Sequence, residues 1–323
     1  MMGRSYLVTG GAGFIGSNFI RQLLAEEPRA KVTNLDLLTY SGVEATVAEL
    51  DTDTRHTFVR GDIRDAATVD DVVAGADVIV NFAAESHVDR SISGPRPFLE
   101  TNVVGTGVLL EAARRHGVER FVHVSTDEVY GSLAGGSAAE DHRLEPSSPY
   151  SASKAGADLL VGAYRVTHGY PAIITRCTNN FGPYQFPEKV IPLFVTNLLD
   201  GRKVPLYGDG RNERDWLHVD DHCRAIRLLV AEGEPGETYN IGADNQLTNI
   251  ELTRRILDAL GADESMIERV TDRPGHDLRY AVDSSKIRRL GWKPERDFDE
   301  HLLRTIDWYR DRRDWWEPLR SRG

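Results

Sequence analysis

The sequence predicts an α/β protein in which a doubly wound parallel sheet is followed by a smaller C-terminal α/β domain. Three observations carry that expectation. Short runs rich in β-branched residues alternate with helix-length amphipathic segments through the first half, the rhythm of βαβ units feeding a parallel sheet. The first of these runs, Tyr6-Leu7-Val8-Thr9, passes directly into the glycine-rich turn Gly10-Gly11-Ala12-Gly13-Phe14-Ile15-Gly16. Beyond Arg176 the alternation gives way to segments punctuated by proline and glycine, such as Asn180-Phe181-Gly182-Pro183-Tyr184 and Tyr207-Gly208-Asp209-Gly210, which read as loops around a site.

In chain order, strands are expected over residues 5–9, 31–36, 57–59, 77–82, 120–125 and 172–175. Helices are expected over 14–26, near 68–73, over 101–116 and over 150–168. Gly117 and Gly169 stand where C-terminal glycine caps belong. Thr248 with Glu251 three residues on forms a capping box for a helix that runs to Leu260 and stops at Gly261. Near the end Leu302, Leu303, Ile306 and Tyr309 recur at helical spacing, as core packing of a terminal helix requires, and Trp315-Trp316 reads as packing or a partner contact. Residues 1–176 are thus expected to bind a nucleotide cofactor, with the chain returning to that domain around 213–245. Residues 177–323 are expected mainly to hold substrate.

Bulk properties exclude several classes. A chain of 323 residues with 40% hydrophobic content can bury a sizeable core. No stretch approaches the roughly 20 apolar residues of a membrane span, and no signal-peptide pattern precedes Tyr6, so a soluble, cytoplasmic protein is expected. A formal charge of −11 argues against a general nucleic-acid or membrane-surface binder while permitting a local basic pocket. Cys177 and Cys223 are far apart and read as reduced thiols. His218 and His222 stand at i,i+4, but Asp220 and Asp221 between them read as the acidic start of a helix and no third ligand is evident, so no metal site is expected.

The glycine turn is informative because of its place between a strand and a helix. Glycines at 10, 13 and 16 permit a tight turn, close approach of backbone to a pyrophosphate and close helix-to-strand packing, and the helix N-terminus beginning at Phe14-Ile15 offers unpaired N–H groups to the anion. This is the pattern of a Rossmann fold. Asp36, twenty residues beyond Gly16 at the end of the second strand, suits the hydroxyls of an adenosine ribose and repels a 2′-phosphate, which favours NAD over NADP. Asp62-Ile63 after the third strand would meet the adenine, and Ala83-Ala84 after the fourth would let the backbone approach the cofactor.

Tyr150 and Lys154 form a Tyr-x-x-x-Lys pair whose i,i+4 spacing puts both side chains on one helix face. A phenol is a poor base at its ordinary pKa of about 10, and a neighbouring ammonium stabilises its phenolate, so the pair can take a hydroxyl proton while hydride leaves the carbon. The fifth strand delivers Ser125, Thr126, Asp127 and Glu128 at its C-terminal end, where open α/β sheets bind ligands.

The glycine set, Asp36, the run Ser125-Thr126-Asp127-Glu128-Val129-Tyr130-Gly131 and Tyr150-x-x-x-Lys154 together resemble the extended short-chain dehydrogenase/reductases. Within them, Thr126-Asp127-Glu128 with Leu38-Thr39-Tyr40 and Ala84-Glu85-Ser86-His87-Val88-Asp89-Arg90-Ser91 resembles the dTDP-glucose 4,6-dehydratase family, along essentially the full length. The resemblance implies NAD as cofactor and a nucleoside diphosphate sugar as substrate. It makes Glu128 the base at C5, Asp127 the acid at the C6 hydroxyl, and Thr126 a partner of the C4 oxygen with Tyr150; hydride returns to C6, leaving a 4-keto-6-deoxy sugar. It places Ser86, Asn179 and Asn180 against the nucleotide sugar, Lys189, Arg214 and Arg273 at the diphosphate, and His276 and Tyr280 at the pocket mouth. It also implies a homodimer paired through the helices at 101–116 and 150–168. The chemistry agrees, since a C4 ketone acidifies the C5 proton and elimination then needs one group to take that proton and another to protonate the leaving hydroxyl. A nucleotide-sugar 4-epimerase, a UDP-glucose dehydratase and an NAD-binding sensor or scaffold remain as alternatives; an epimerase has no use for the acidic pair.

Overall fold

Parallel strands cannot be joined by tight turns, so every crossover must span the sheet, and most here carry a helix that covers one of its faces. The computed structural model describes residues 3–322. Its first half supplies β1 (Ser5–Thr9), β2 (Lys31–Asp36), β3 (His56–Arg60), β4 (Val78–Asn81), β5 (Arg120–Thr126) and β6 (Ile173–Cys177). The second half supplies β7 (Asn179–Phe181), β8 (Val204–Tyr207), β9 (Glu213–His218), β10 (Thr238–Ile241), β11 (Gln246–Thr248) and β12 (Ile267–Val270). The main sheet has the order β10-β6-β5-β4-β1-β2-β3, and every pairing in it is parallel. The order reverses beside β1, where Thr9 is flanked by Leu35 on one side and Asn81 on the other. At such a reversal the crossovers leave in opposite directions and open a crevice at the strands' C-terminal ends.

The strands read as continuous apolar runs because both faces are covered. Tyr6 and Val8 point into one layer with Phe19, Ile20 and Leu23 of helix Phe14–Glu26 and Ile226 and Leu229 of helix Val219–Glu232. Leu7, on the alternate face, meets Ile79, Phe121, Leu109 and Leu110. The small sheets β11-β9-β7 and β12-β8 frame a second core of Phe181, Phe194, Trp216, Ile256, Leu302, Ile306, Tyr309 and Trp316. Trp315 and Trp316 are buried here as packing. Leu303 departs from the expectation: Leu302, Ile306 and Tyr309 form the inward stripe of helix Phe298–Asp311, while Leu303 lies off it and is exposed.

The long helices follow their caps. Ser148 and Ser151 form a reciprocal capping box with Pro149 at the first turn, so helix Pro149–His168 starts one residue before Tyr150. The box of Thr248 and Glu251 opens helix Asn249–Leu260 as expected. Gly117, Gly169 and Gly261 end their helices in the left-handed conformation. The segment expected as one helix over 101–116 instead opens as a π-helix, Leu99–Gly105, before continuing as Thr106–His116. Its side chains give the reason. Asn102 is buried and committed to Glu85 and Ser153, and the Thr106 hydroxyl donates to the Asn102 carbonyl, competing with the ordinary helical ladder.

The glycine turn after β1 is set by close backbone approach. Gly10 has φ +71, and a Cβ on it would lie 2.7 Å from the Ala83 nitrogen; one on Gly16 would lie 2.4 Å from the Gly10 oxygen and 2.9 Å from the Gly11 Cα. Neither neighbour is a flexible side-chain end. Gly16→Ala is therefore expected to destabilise the fold by about 2 kcal/mol, the scale of overpacking. Calorimetry should show the thermal midpoint falling by several degrees, and an unchanged midpoint would contradict this packing.

Candidate active site

A single cleft runs along the C-terminal ends of the main sheet. One end is walled by Gly10, Gly13, Phe14, Ile15, Gly16, Asp36, Asp62, Ile63, Ala83 and Ala84; the middle by Thr126, Asp127, Glu128, Tyr150 and Lys154; the far end by Ser86, Asn179, Asn180 and Lys189. The fold thus brings these sequence-predicted residues to one surface. Arg214, Arg273, His276 and Tyr280 do not line it. They form a layer beside the cleft, where Arg214 donates to the carbonyls of Glu213 and Asp277 and lies 4.2 Å from the Tyr280 ring centre, and Arg273 pairs with Asp89 at 3.1 Å. The His276 ring meets Asp272 at 2.6 Å, and the Tyr280 hydroxyl donates to Asp277.

At the nucleotide end, Asp36 closes the turn after β2. One carboxylate oxygen accepts from the Ala12 N–H at 3.0 Å and the other from the Leu38 N–H at 2.8 Å, with Leu38 itself left-handed at φ 56. Burial pushes the Asp36 carboxyl up, and these two N–H groups oppose it. Asp62 is gripped by the Arg64 guanidinium; burial works against its ionisation, but Arg64 outweighs burial and holds it below the usual range. The glycine cradle that a side chain at Gly10 or Gly16 would fill, the facing Ala83 backbone and the acidic end of β2 fit the chemistry of NAD.

The reactive centre sits where β5 ends and helix Pro149–His168 begins. Lys154 is fully enclosed, and its ammonium donates to the Val124 carbonyl of β5 at 2.7 Å. Burial pulls its pKa down to about 8, against opposing pulls from Asp158 and Cys177. Tyr150 is anchored by its N–H to the Ser91 hydroxyl and edge-on to Phe98. Its phenol is pushed well above 10, first by burial and then by Glu128, with the Thr126 hydroxyl acting the other way. In the folded chain burial and the nearby acids therefore oppose the ionisation that a lysine charge supports.

Thr126 caps the short 3-10 turn Asp127–Tyr130, accepting from the Glu128 N–H and donating to Asp127, each at 3.3 Å. That turn splits the two acids electrostatically. Asp127 is pushed well above the carboxylate range by burial and by the neighbouring Glu128, and only Arg214 appears as a cation against them. Glu128 is also raised by burial, but Arg214, Arg273 and Lys189 all favour its charged form. The basic layer beside the cleft thus reaches the chemistry through its field. The two carboxyls are adjacent in sequence yet differ in proton affinity, as a paired acid and base must.

Sequence reasoning missed a second polar hub on the far wall. Glu188 accepts from the Tyr40 hydroxyl at 2.8 Å and lies 3.7 Å from His87 and 3.6 Å from Arg90, whose guanidinium covers the Tyr40 ring. Next to it the Lys189 ammonium donates to the Ser86 carbonyl. Tyr40, His87 and Arg90 lie in segments singled out from the sequence, but their convergence on Glu188 from separate segments leaves no local signal. The Asn180 side chain is committed to His222 and the Thr178 carbonyl, so it offers the cleft less than expected. His222 and His218 are both held near 3 by burial, His218 caps helix Val219–Glu232, and no three potential ligands converge among the described residues. Cys177 and Cys223 are both buried free thiols.

Comparison with known proteins agrees with this geometry. A family model described as GDP-mannose 4,6 dehydratase matches residues 7–305. A dTDP-glucose 4,6-dehydratase of Streptomyces antibioticus is 58% identical over 322 residues, covering 98% of this chain and 95% of that protein. The crystal structure of DesIV, a dTDP-glucose 4,6-dehydratase from Streptomyces venezuelae with NAD and TYD bound, superposes with a TM-score of 0.96 at 59% identity, covering 98% of this chain and 99% of that one. A UDP-glucose 4-epimerase of Thermus thermophilus in complex with NAD shares the fold more distantly, with a TM-score of 0.88 at 32% identity over 95% of this chain and 99% of that one. A parallel sheet that ends in an adjacent acid pair beside a Tyr-Lys helix, matched at this identity along nearly the whole chain, makes this protein a member of the dTDP-glucose 4,6-dehydratase family of extended short-chain dehydrogenase/reductases.

Proposed function

We propose that the chain is an NAD-dependent hydro-lyase that converts dTDP-glucose into dTDP-4-keto-6-deoxyglucose and water. The observation that carries this reading is the split between Asp127 and Glu128, since a 4-epimerase oxidises and re-reduces one carbon and needs no buried acid and base side by side. NAD, when bound, supplies the acceptor for the C4 hydride and returns that hydride to C6. Gly10, Gly13, Phe14, Ile15 and Gly16 with Asp36, Asp62, Ile63, Ala83 and Ala84 are assigned to hold it, in a domain made of residues 1–176 and the returning segment around 213–245.

Tyr150, as the phenolate that the charge of Lys154 supports and with the Thr126 hydroxyl beside it, takes the C4 hydroxyl proton. Glu128, kept more acidic by three cations, takes the C5 proton once C4 is a ketone. Asp127, kept protonated by burial, gives its proton to the departing C6 hydroxyl, which leaves as water. Lys189, Arg214 and Arg273 suit a diphosphate, and Ser86, Asn179, Asn180, His276 and Tyr280 are assigned to the sugar nucleotide in the region 177–323.

The same reading makes the protein a cytoplasmic homodimer. Among the described residues no helix is long and apolar enough to cross a membrane. Leu99 and Val104 beside Leu159 and Val166 are exposed apolar side chains on two adjacent helical segments, with Val166 84% exposed. Two copies pairing through this face would form a four-helix interface of the kind apolar stripes require. Leu159→Glu is expected to shift the protein to monomer in light scattering; a Leu159→Glu dimer would rule out this face.

The central experiment is incubation with dTDP-glucose and NAD, followed by alkaline detection of a 4-keto sugar and by deuterium exchange at C5; absence of both would overturn the reading. UDP-glucose run in parallel tests the nucleoside, which differs by a ribose 2′-hydroxyl and by the base methyl, the latter worth only about 1–3 kcal/mol of discrimination. Asp127→Asn should keep C4 oxidation but slow elimination at least tenfold, so reduced cofactor accumulates at 340 nm in a single turnover; equal loss of both steps would reassign the acid. That variant also carries a stability signature. A carboxyl whose folded pKa is raised costs stability as pH climbs above its unfolded value near 3.8. The thermal midpoint of Asp127→Asn relative to the parent should therefore rise from pH 4 to pH 8, and a flat difference would contradict the burial argument.

A further inference from the structure

Below the reactive residues lies a second buried ionic group that the reaction as derived does not use. Asp158 stands one helical turn beyond Lys154, so the two side chains share a face of helix Pro149–His168. Both are almost wholly buried. One Asp158 oxygen accepts from Arg176 Nε at 2.9 Å, and His123 Nε2 lies 3.7 Å from the other. Arg176 in turn donates to the Tyr130 hydroxyl at 2.8 Å and to the Glu140 carbonyl at 3.0 Å, and Tyr130 donates to Asn240 Oδ1 at 2.8 Å. Arginine is therefore fixed on three sides and fixes the carboxylate. Lys154 has its hydrogen bond to Val124 and, among the described residues, no carboxylate in contact.

We propose that Asp158, held in place by Arg176, keeps Lys154 protonated and so acts as a positioning residue for the charge behind Tyr150. This rests on the reading of Lys154 as the cation that supports the phenolate. An ammonium enclosed by protein loses its hydration and sheds its proton unless an anion lies nearby. Tyr150 and Asp158 share its helix face, and His123 from β5 and Cys177 from β6 are the other titratable groups whose charge bears on it. His123 is held neutral by burial and by the cations Lys154 and Arg176, and burial keeps the Cys177 thiol protonated, pushed up to about 12. Asp158 gives the largest pull toward the charged form, and it keeps Lys154 near 8 where burial alone would take it lower. An Asp158 that merely paired with Arg176 would stabilise the fold without moving this titration.

The lysines are Lys31, Lys154, Lys189, Lys203, Lys286 and Lys293, few enough for NMR titration of protein labelled at lysine Cε, with Lys154→Arg identifying the signal. Lys154 is expected to titrate near 8 in the parent, at least about one unit lower in Asp158→Asn, and within about half a unit of the parent in Asp158→Glu. The alkaline limb of cofactor reduction should move with it, while thermal midpoints, measured in parallel, report any loss of fold. An unmoved Asp158→Asn midpoint overturns the proposal. Should Asp158→Asn not fold, Asp158→Ser decides in its place: a Lys154 midpoint at least about one unit below the parent supports the proposal, and an unmoved one overturns it. Failure of the dehydratase reading would appear separately, as missing 4-keto product with the titration intact.

Discussion

The hydrogen bond from the Lys154 ammonium to the Val124 carbonyl fixes the relation on which the site depends, the height of one helix above one strand. A charged donor on a strand carbonyl is stronger than a neutral pair, and in a buried site it is not exchanged for water. It ties helix Pro149–His168 to β5 near the point where that strand ends. Tyr150, one turn back along the helix, then meets Thr126, Asp127 and Glu128 as they leave the sheet. The Ser148 cap, the Ser91 hydroxyl under the Tyr150 N–H and the edge of Phe98 all stiffen that junction.

With the junction set, identity of function comes from environment more than from residue type. Asp127 and Glu128 are neighbours of similar intrinsic acidity, and their separation depends on which cations each one sees. Glu128 feels Arg214, Arg273 and Lys189, while Asp127 is raised by burial, Glu128 and Asp215 with Arg214 pulling the other way. Of these cations only Lys189 lines the cleft, yet together they distinguish an acid from a base. Such an arrangement costs stability, because buried acids and cations are held apart from water to be useful.

Much of this was legible in the sequence because its signals are local. A strand, a glycine turn and a helix in succession leave periodicity and composition behind, and β1, β2 and helix Phe14–Glu26 appear with the bounds expected of them. Tyr150 and Lys154 are related by helical spacing, and Asp127 and Glu128 by adjacency. What escaped depends on distance along the chain. The place of β10 beside β6 and the hub joining Tyr40, Arg90 and Glu188 arise from contacts between remote segments. The π-helix at Leu99–Gly105 follows from where the Asn102 side chain is drawn, which no propensity encodes. Arg273 is expected at the diphosphate and His276 and Tyr280 at the pocket mouth; in the folded chain their polar groups meet Asp89, Asp272 and Asp277 in a layer of their own.

Asp36 has a consequence for redesign. Its carboxylate is the keystone of its own turn, since the N–H groups of Ala12 and Leu38 both end on it and Leu38 takes up a left-handed backbone to do so. Switching coenzyme preference by neutralising this one position would strand two enclosed donors, at roughly 1–3 kcal/mol each. Tolerance for a phosphorylated ribose would thus have to be built with a rebuilt loop that brings its own acceptors, so that affinity and foldability are exchanged together at a single side chain.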